Sequence, residues 1–275
     1  MKNLLLKLIS LILVISTALF IATACNNDDF VASEGLEFEM SSDRTGYAVI
    51  GIGECFDRKV VIPLTYNDKP VIEIKEEAFK EDPFIEEVII TNNVTTLGNR
   101  AFSGCYSLTT ITIPNNVLSI GKGAFNNCRT DIKWGDNPRI SEIANSTFVG
   151  YYGFSIVIPS SVTSIGDSAF ENCSNLTSVT IPNGVVSIGS IAFMGCENLT
   201  YVTIPSSVTS IGANAFRGCA MLTGIKFEDV STWYYTDSNY NFTNKIFGEM
   251  IDVNNDSDNA TLFKDNGNIY YYYKI

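Results

Sequence analysis

A chain of 275 residues with 18 Lys and Arg against 30 Asp and Glu carries a net charge of −12 and contains no histidine. The acidity argues against a nucleic-acid partner, whose phosphates demand a basic face. The missing histidine removes Ser-His and Cys-His catalytic arrangements and the commonest nitrogen ligand for zinc.

Residues 1–24 set Lys2 and Lys7 ahead of the apolar run Leu8 to Phe20 and end in small residues before Cys25, the pattern of an export signal. The stretch ATAC at 22–25 resembles a bacterial lipobox, which implies lipidation of Cys25 as the mature N-terminus, although Ala22 stands where Leu is usual. Leu8 to Ala24 also approaches a spanning length, so an uncleaved membrane anchor is the alternative. Removing the signal takes away two lysines and no acids, which leaves 16 basic residues against 30 acidic, or −14. A polar tether is expected over 25–34 and a β-rich N-terminal cap over 35–70, where GLEFEMSSDRTGYAVIGIG holds two strand-like runs around a turn with Ser42, Asp43 and Gly46. GIGECF at 51–56 begins like a phosphate-binding loop but lacks the third glycine, and no nucleotide site is expected there.

From residue 71 a phrase repeats. Phe79, Phe102, Phe125, Phe148, Phe170, Phe193 and Phe216 recur at intervals of 23, 23, 23, 22, 23 and 23, each with a Val or Ile eight residues earlier and an Ile or Leu five earlier. A fixed period of this size marks a solenoid. Within a unit, Val179 and Ile181 alternate with polar residues as a half-buried strand, and Pro182 suits the strand's end. Ile165, Ala169 and Cys173 lie four apart, the spacing of a short helical turn. No unit can bury its apolar face alone, so neighbours must stack.

The phrase LTSVTIPNGVVSIGSIAFMGCENL resembles the BspA-like, or treponemal, leucine-rich repeat of bacterial surface proteins. The resemblance runs from Val71 to Phe227 and implies a leucine-rich-repeat solenoid of seven units of about 23 residues, each a short parallel strand plus a short helical turn, between β-rich caps. The Asn of ordinary leucine-rich repeats is mostly missing, its slot holding Asn93 and Asn116 but Gly184 and Ser207. The C-terminal cap spans 228–275, where TLFKDNGNIYYYYKI places Asn266-Gly267 between two strand-like runs.

Candidate chemistry is sparse. Cys105, Cys128, Cys173, Cys196 and Cys219 share one slot; neighbouring coils lie about 4.8 Å apart, wider than the roughly 3.5–4.5 Å between disulfide Cβ atoms. Buried free thiols are therefore favoured over disulfides, and a straight column offers no tetrahedral metal site. Asp252, Asn254 and Asp256 begin like a calcium loop, but Ser257 and Phe263 replace the required Gly and Glu, so a solvated cap loop is preferred. No Asp/Glu pair stands out for glycoside cleavage, and neither an enzyme nor a cofactor is expected. The outward strand slots read Thr109, Thr110, Thr112, then Thr177, Ser178, Thr180, then Thr200, Tyr201, Thr203, either a contact surface or merely good strand chemistry. In DIKWGDNPRI, a fixed 23-residue offset puts Asp131 and Asp136 in Leu and Ile slots and Trp134 in the Val slot, which makes Lys133 and Trp134 a candidate binding patch or Trp134 the filler of a distorted coil. The aromatic runs STWYY and YYYY are cap packing or an exposed recognition surface. The family resemblance implies an exported, lipid-anchored surface protein that binds protein or other macromolecular partners; a structural or self-associating envelope protein is the alternative.

Overall fold

The computed structural model describes residues 31–229, 233–236, 249–251, 254–265 and 271–274. The signal segment, Cys25 and most of the aromatic C-terminal runs lie outside these residues. Two compact units divide the chain, Met1–Val31 and Ala32–Ile275, and the description below concerns the second.

Each turn of the solenoid begins with a strand whose alternation buries one face. In Ser178–Thr180, Val179 points inward between exposed Ser178 and Thr180, while Leu176 and Ile181 flank it in the core. Eight such first strands stack: Lys59–Val61, Glu87–Ile89, Thr110–Ile113, Asp131–Trp134, Ser155–Val157, Ser178–Thr180, Tyr201–Ile204 and Gly224–Phe227. The seven expected units thus become about eight turns. The parallel ladder starts at Lys59–Val61, which pairs with Glu87–Ile89, and it ends one strand after the last repeat phenylalanine. A turn closed by Val185 N–H on the Pro182 carbonyl (3.0 Å) leads to a two-residue second strand, Ser187–Ile188 in this unit, and these pair in a second parallel ladder.

The third side of each turn is not helical, contrary to the four-residue spacing. Two residues four apart hold positive φ in each unit, such as Arg100 (53°) and Gly104 (75°), or Ser168 (55°) and Asn172 (57°). A left-handed residue every fourth position cannot continue an α-helix, so the backbone N–H groups turn along the solenoid axis. Arg100, Phe102 and Gly104 donate to the carbonyls of Lys122, Ala124 and Asn126 of the next turn at 2.9, 2.9 and 2.8 Å. The side chains nevertheless share the inward face that the spacing implied, with Ile165, Ala169 and Cys173 all buried. One of the left-handed positions is Ile191, at φ 51°. A β-branched residue is strained there, and the equivalent slot of the next turn holds Asn214, also left-handed. Ile191→Asn should raise the unfolding free energy by about 1 kcal/mol in a denaturant titration; a loss would contradict the strain.

The core is a column of rings. Phe79, Phe102, Phe125, Phe148, Phe170, Phe193 and Phe216 stack with centroids 5.1–5.7 Å apart and ring planes within 10°. Beside it, the thiols of Cys105, Cys128, Cys173, Cys196 and Cys219 donate to the carbonyls of Phe79, Phe102, Phe148, Phe170 and Phe193 on the preceding turn, at 2.9–3.2 Å. All five are free and buried, as is Cys55. Burial pushes the Cys105 thiol up to about 12, and hydrogen bonding with the thiols of Cys173 and Cys219 raises Cys196. These groups are protonated and unreactive at neutral pH.

Both ends are covered. Ser33, expected in the tether, is buried: its N–H reaches the Val61 carbonyl at 3.0 Å and its Oγ accepts from Val61 N–H at 3.0 Å. At the other end, Asp256–Asp265 is a helix, where a strand-like run from Thr261 and a solvated cap loop were expected. It buries Ala260 and Phe263, and Phe263 sets its ring edge-on to Phe216 at 5.9 Å, closing the column where an eighth phenylalanine would stand. Tyr271–Lys274 pairs antiparallel with the second strand Ser210–Ile211.

A seam interrupts the stack between the turns of Phe125 and Phe148. Asp131–Trp134 does not pair with Ser155–Val157, and Ser119–Ile120 does not pair with Glu142–Ile143, so each ladder breaks there. The cause on the second ladder is one side chain. The residue after each second strand is Gly98, Gly121, Gly166, Gly189 or Gly212, whose N–H bonds back to the preceding turn at 2.7–2.8 Å. A Cβ at any of them would lie 2.2–2.7 Å from a backbone nitrogen of that turn. In the seam turn the slot holds Ala144, and the two turns stand apart. Across the seam the ring stack persists (Phe125 to Phe148, 5.6 Å), as do the bonds from Phe125 N–H to the Thr147 carbonyl and from Asn127 N–H to that of Val149.

Candidate functional site

On the first ladder the seam comes from a compensated shift in the chain. Thr110 lies five residues after Cys105, whereas Asp131 lies only three after Cys128; Val117 follows Ile113 by four residues, whereas Ile140 follows Trp134 by six. The strand pairing absorbs both, aligning Ile132 with Ile111, Lys133 with Thr112 and Trp134 with Ile113. The fixed-offset assignment is therefore corrected. Asp131 points outward and Ile132 takes the buried Val slot. Trp134 occupies the Ile slot, half-buried against the core, and Asp136 lies beyond the strand. The indole Nε1–H of Trp134 donates to the Val157 carbonyl at 2.9 Å, bridging the gap where the ladder fails.

The seam gathers exposed apolar side chains. Phe154 is 71% exposed, Val157 70% and Tyr152 43%, and Val157 pairs with Thr180 across the next turn. Beneath them Tyr151 stands in the cysteine slot, its ring edge-on to Phe148 at 6.0 Å and its hydroxyl donating to the Ser155 carbonyl at 3.4 Å. Burial pushes that hydroxyl up to about 12. Exposed Arg129 and Lys133 lie on the turn just before. The ion pairs among the described residues are Arg58 with Glu86, Lys59 with Glu87, Lys75 with Glu73, and Glu77 with both Lys80 and Arg100, so neither seam cation is engaged in one.

The other expected residues divide by role. The hydroxyls of Thr109, Thr177 and Thr200 donate to the carbonyls of Glu86, Phe154 and Thr177 on the preceding turn, at 2.9, 3.1 and 3.3 Å, and hold neighbouring turns together. Thr110, Thr112, Ser178, Thr180 and Thr203 line the outer side of the strands. Tyr201 fastens the C-terminal helix: its hydroxyl donates to Asp256 Oδ2 at 2.6 Å, and that bond pushes the hydroxyl up to about 12. The expected aromatic patch was thus incomplete, because Tyr152, Phe154 and Val157 were not singled out. The signal was present in YYGFSIV, which sets Phe and Val in slots that hold Thr177 and Thr180 one turn later.

The BspA type leucine-rich repeat region, a family described as six copies of the repeat, matches residues 72–153 and 141–248. The chain belongs to this family. A leucine-rich repeat protein of T. pallidum is similar in structure, with a TM-score of 0.52 and 26% identity over 72% of this chain and 83% of that one. A leucine-rich cell surface protein from Faecalibacterium prausnitzii matches at 22% identity over 74% of this chain and 78% of that one, with a TM-score of 0.35. No curated protein matches. In this BspA-type array the old asparagine slot still ties turns together: Asn93 and Asn116 donate through Nδ2 to the carbonyls of Leu64 and Asn92, and Ser161 and Ser207 through Oγ to those of Ile140 and Val185, at 2.6–2.9 Å. The expected calcium loop is replaced from Asp256 onward by helix, and Asp252 lies outside the described residues.

Proposed function

We propose that this BspA-type protein is exported, anchored through a lipid on Cys25, and presents the first-strand face of its solenoid to a macromolecular partner at the cell surface, without catalysis of its own. The observation that carries the binding part is the seam patch. Phe154, Val157 and Tyr152 lie in water beside half-buried Trp134, and clustered exposed apolar groups mark interaction surfaces. Arg129 and Lys133 bring positive charge to it within a chain of net −12, which favours an acidic partner surface. Thr112 and Thr180 extend the patch along the ladder in either direction. The family and the export-like first 24 residues support the cell-envelope location.

Photocrosslinking on intact cells tests this reading. A crosslinker at Val157 should capture a distinct macromolecule, and Phe154→Ser with Lys133→Glu should reduce that capture by at least about tenfold, the loss of a hot spot, while the melting temperature stays near wild type. Equal capture from a probe at exposed Thr163, on the second-strand side, would overturn the assignment.

A further inference from the structure

The turn that joins first and second strands has the same form in most units, closed by Val117, Val162, Val185 and Val208 N–H on the carbonyls of Pro114, Pro159, Pro182 and Pro205. Its fourth-slot residue ties the turn to its neighbour in Asn116, Ser161 and Ser207, but the Phe193 unit has Gly184 there and loses that tie. Asn183 and Gly184 are both exposed, and among the described residues neither the Asn183 side chain nor the Gly184 N–H has a hydrogen-bond partner. Asn183–Gly184 is also the sole Asn-Gly pair among the described residues.

We propose that Asn183–Gly184 is a site of spontaneous covalent self-modification. The deprotonated Gly184 nitrogen attacks Cγ of Asn183. A C–N bond forms, the Cγ–Nδ2 bond breaks, and ammonia leaves with a proton taken from solvent, giving a five-membered imide. Water then adds to either imide carbonyl and reopens the ring to an aspartate or to an isoaspartate, in which the main chain runs through the former side chain. Glycine promotes the first step because no Cβ shields its nitrogen and its backbone rotates freely. The sister turns resist it: Asn92 and Asn115 are followed by Asn93 and Asn116, each with a Cβ and each tied through its side chain to the preceding turn. The product adds one negative charge to the turn, and the isoaspartate form lengthens the backbone just before the second strand Ser187–Ile188.

A serine at position 184 can restore the tie, because a Cβ there would lie 3.3 Å from the Val162 carbonyl, the counterpart of the carbonyl that Ser207 reaches. The folded protein is incubated in mildly alkaline buffer, and peptides are followed by mass spectrometry and by isoaspartyl methyltransferase labelling. Conversion should concentrate at Asn183 over Asn92 and Asn115, and both Gly184→Ser and Gly184→Ala should slow it by about tenfold or more by removing glycine's freedom. Circular dichroism establishes that each variant is folded, and the alanine variant separates loss of the bare nitrogen from restoration of the tie. Conversion at Asn92 or Asn115 as fast as at Asn183, or an unchanged rate in folded Gly184→Ala, overturns the proposal.

Discussion

Truncating Phe193 to alanine lowers the unfolding free energy by about 3–5 kcal/mol, the usual cost of lost transfer energy plus a residual cavity. The ring is fully buried and lies between Phe170 at 5.1 Å and Phe216 at 5.2 Å, with planes within 8° and 2° of its own. No side chain can swing into the vacated space without leaving its own place in the column, so collapse is limited. Thr203 is the control. It stands outward between buried Val202 and Ile204, and Thr203→Ala should cost about 0.5 kcal/mol or less. In a stacked array stability is roughly a sum of unit and nearest-neighbour terms, so hydrogen exchange should show lost protection centred on residues 170–216, with the turns near Phe79 little changed. Equal costs for the two variants in a denaturant titration would remove the ring column from its structural role.

The column was legible because burial imposes a strict period: a phenylalanine every 23 residues, with a strand alternating before it, needs no knowledge of backbone angles. The turn after it was not legible. Ile165, Ala169 and Cys173 face the core at intervals of four whether the backbone is a helix or a pair of tight turns, and only the positive φ of residues such as Ser168 and Asn172 separates the two. Glycine at Gly104, Gly195 and Gly218 hinted at this, but Glu77, Arg100 and Ile191 adopt the same region without announcing it. The register at Trp134 was hidden by cancellation, since a shortening before the strand and a lengthening after it restore the phenylalanine spacing. Pairing, not spacing, decides which residue faces inward.

The patch and the seam have one origin. Where the turns stand apart, Trp134 fills the gap and bonds Val157 through its indole, and Phe154 and Val157 take slots that threonine occupies in the regular array. A regular BspA-type ladder spends its threonine hydroxyls on neighbouring carbonyls, as Thr177 and Thr200 do. Apolar groups in those slots contribute nothing to the ladder, which leaves them to a partner.

Substituting alanine for Gly212 should open a second seam. Its backbone is not left-handed, so conformational strain is not the issue; a Cβ there would lie 2.2 Å from Ser190 N, 2.5 Å from Gly189 C and 2.6 Å from Ser190 Cα. All three are backbone atoms of the preceding turn, which cannot yield as a flexible side chain would. Relief requires the turns to separate, at the expense of the 2.7 Å bond from Gly212 N–H to the Ile188 carbonyl and the pairing of Ser187–Ile188 with Ser210–Ile211. Such overpacking typically costs about 1–3 kcal/mol, and the lost ladder bond places Gly212→Ala near the upper end. The chain already contains the analogue in Ala144, where the same bond is missing and the ladder is broken. The reciprocal change, Ala144→Gly, should leave global stability within about 1 kcal/mol, because a regained hydrogen bond offsets the greater freedom of glycine in the unfolded chain. It should nonetheless slow exchange of the residue 144 amide. A Gly212→Ala variant within about 0.5 kcal/mol of wild type, the range of a neutral surface change, would show that the missing Cβ does not hold the turns together.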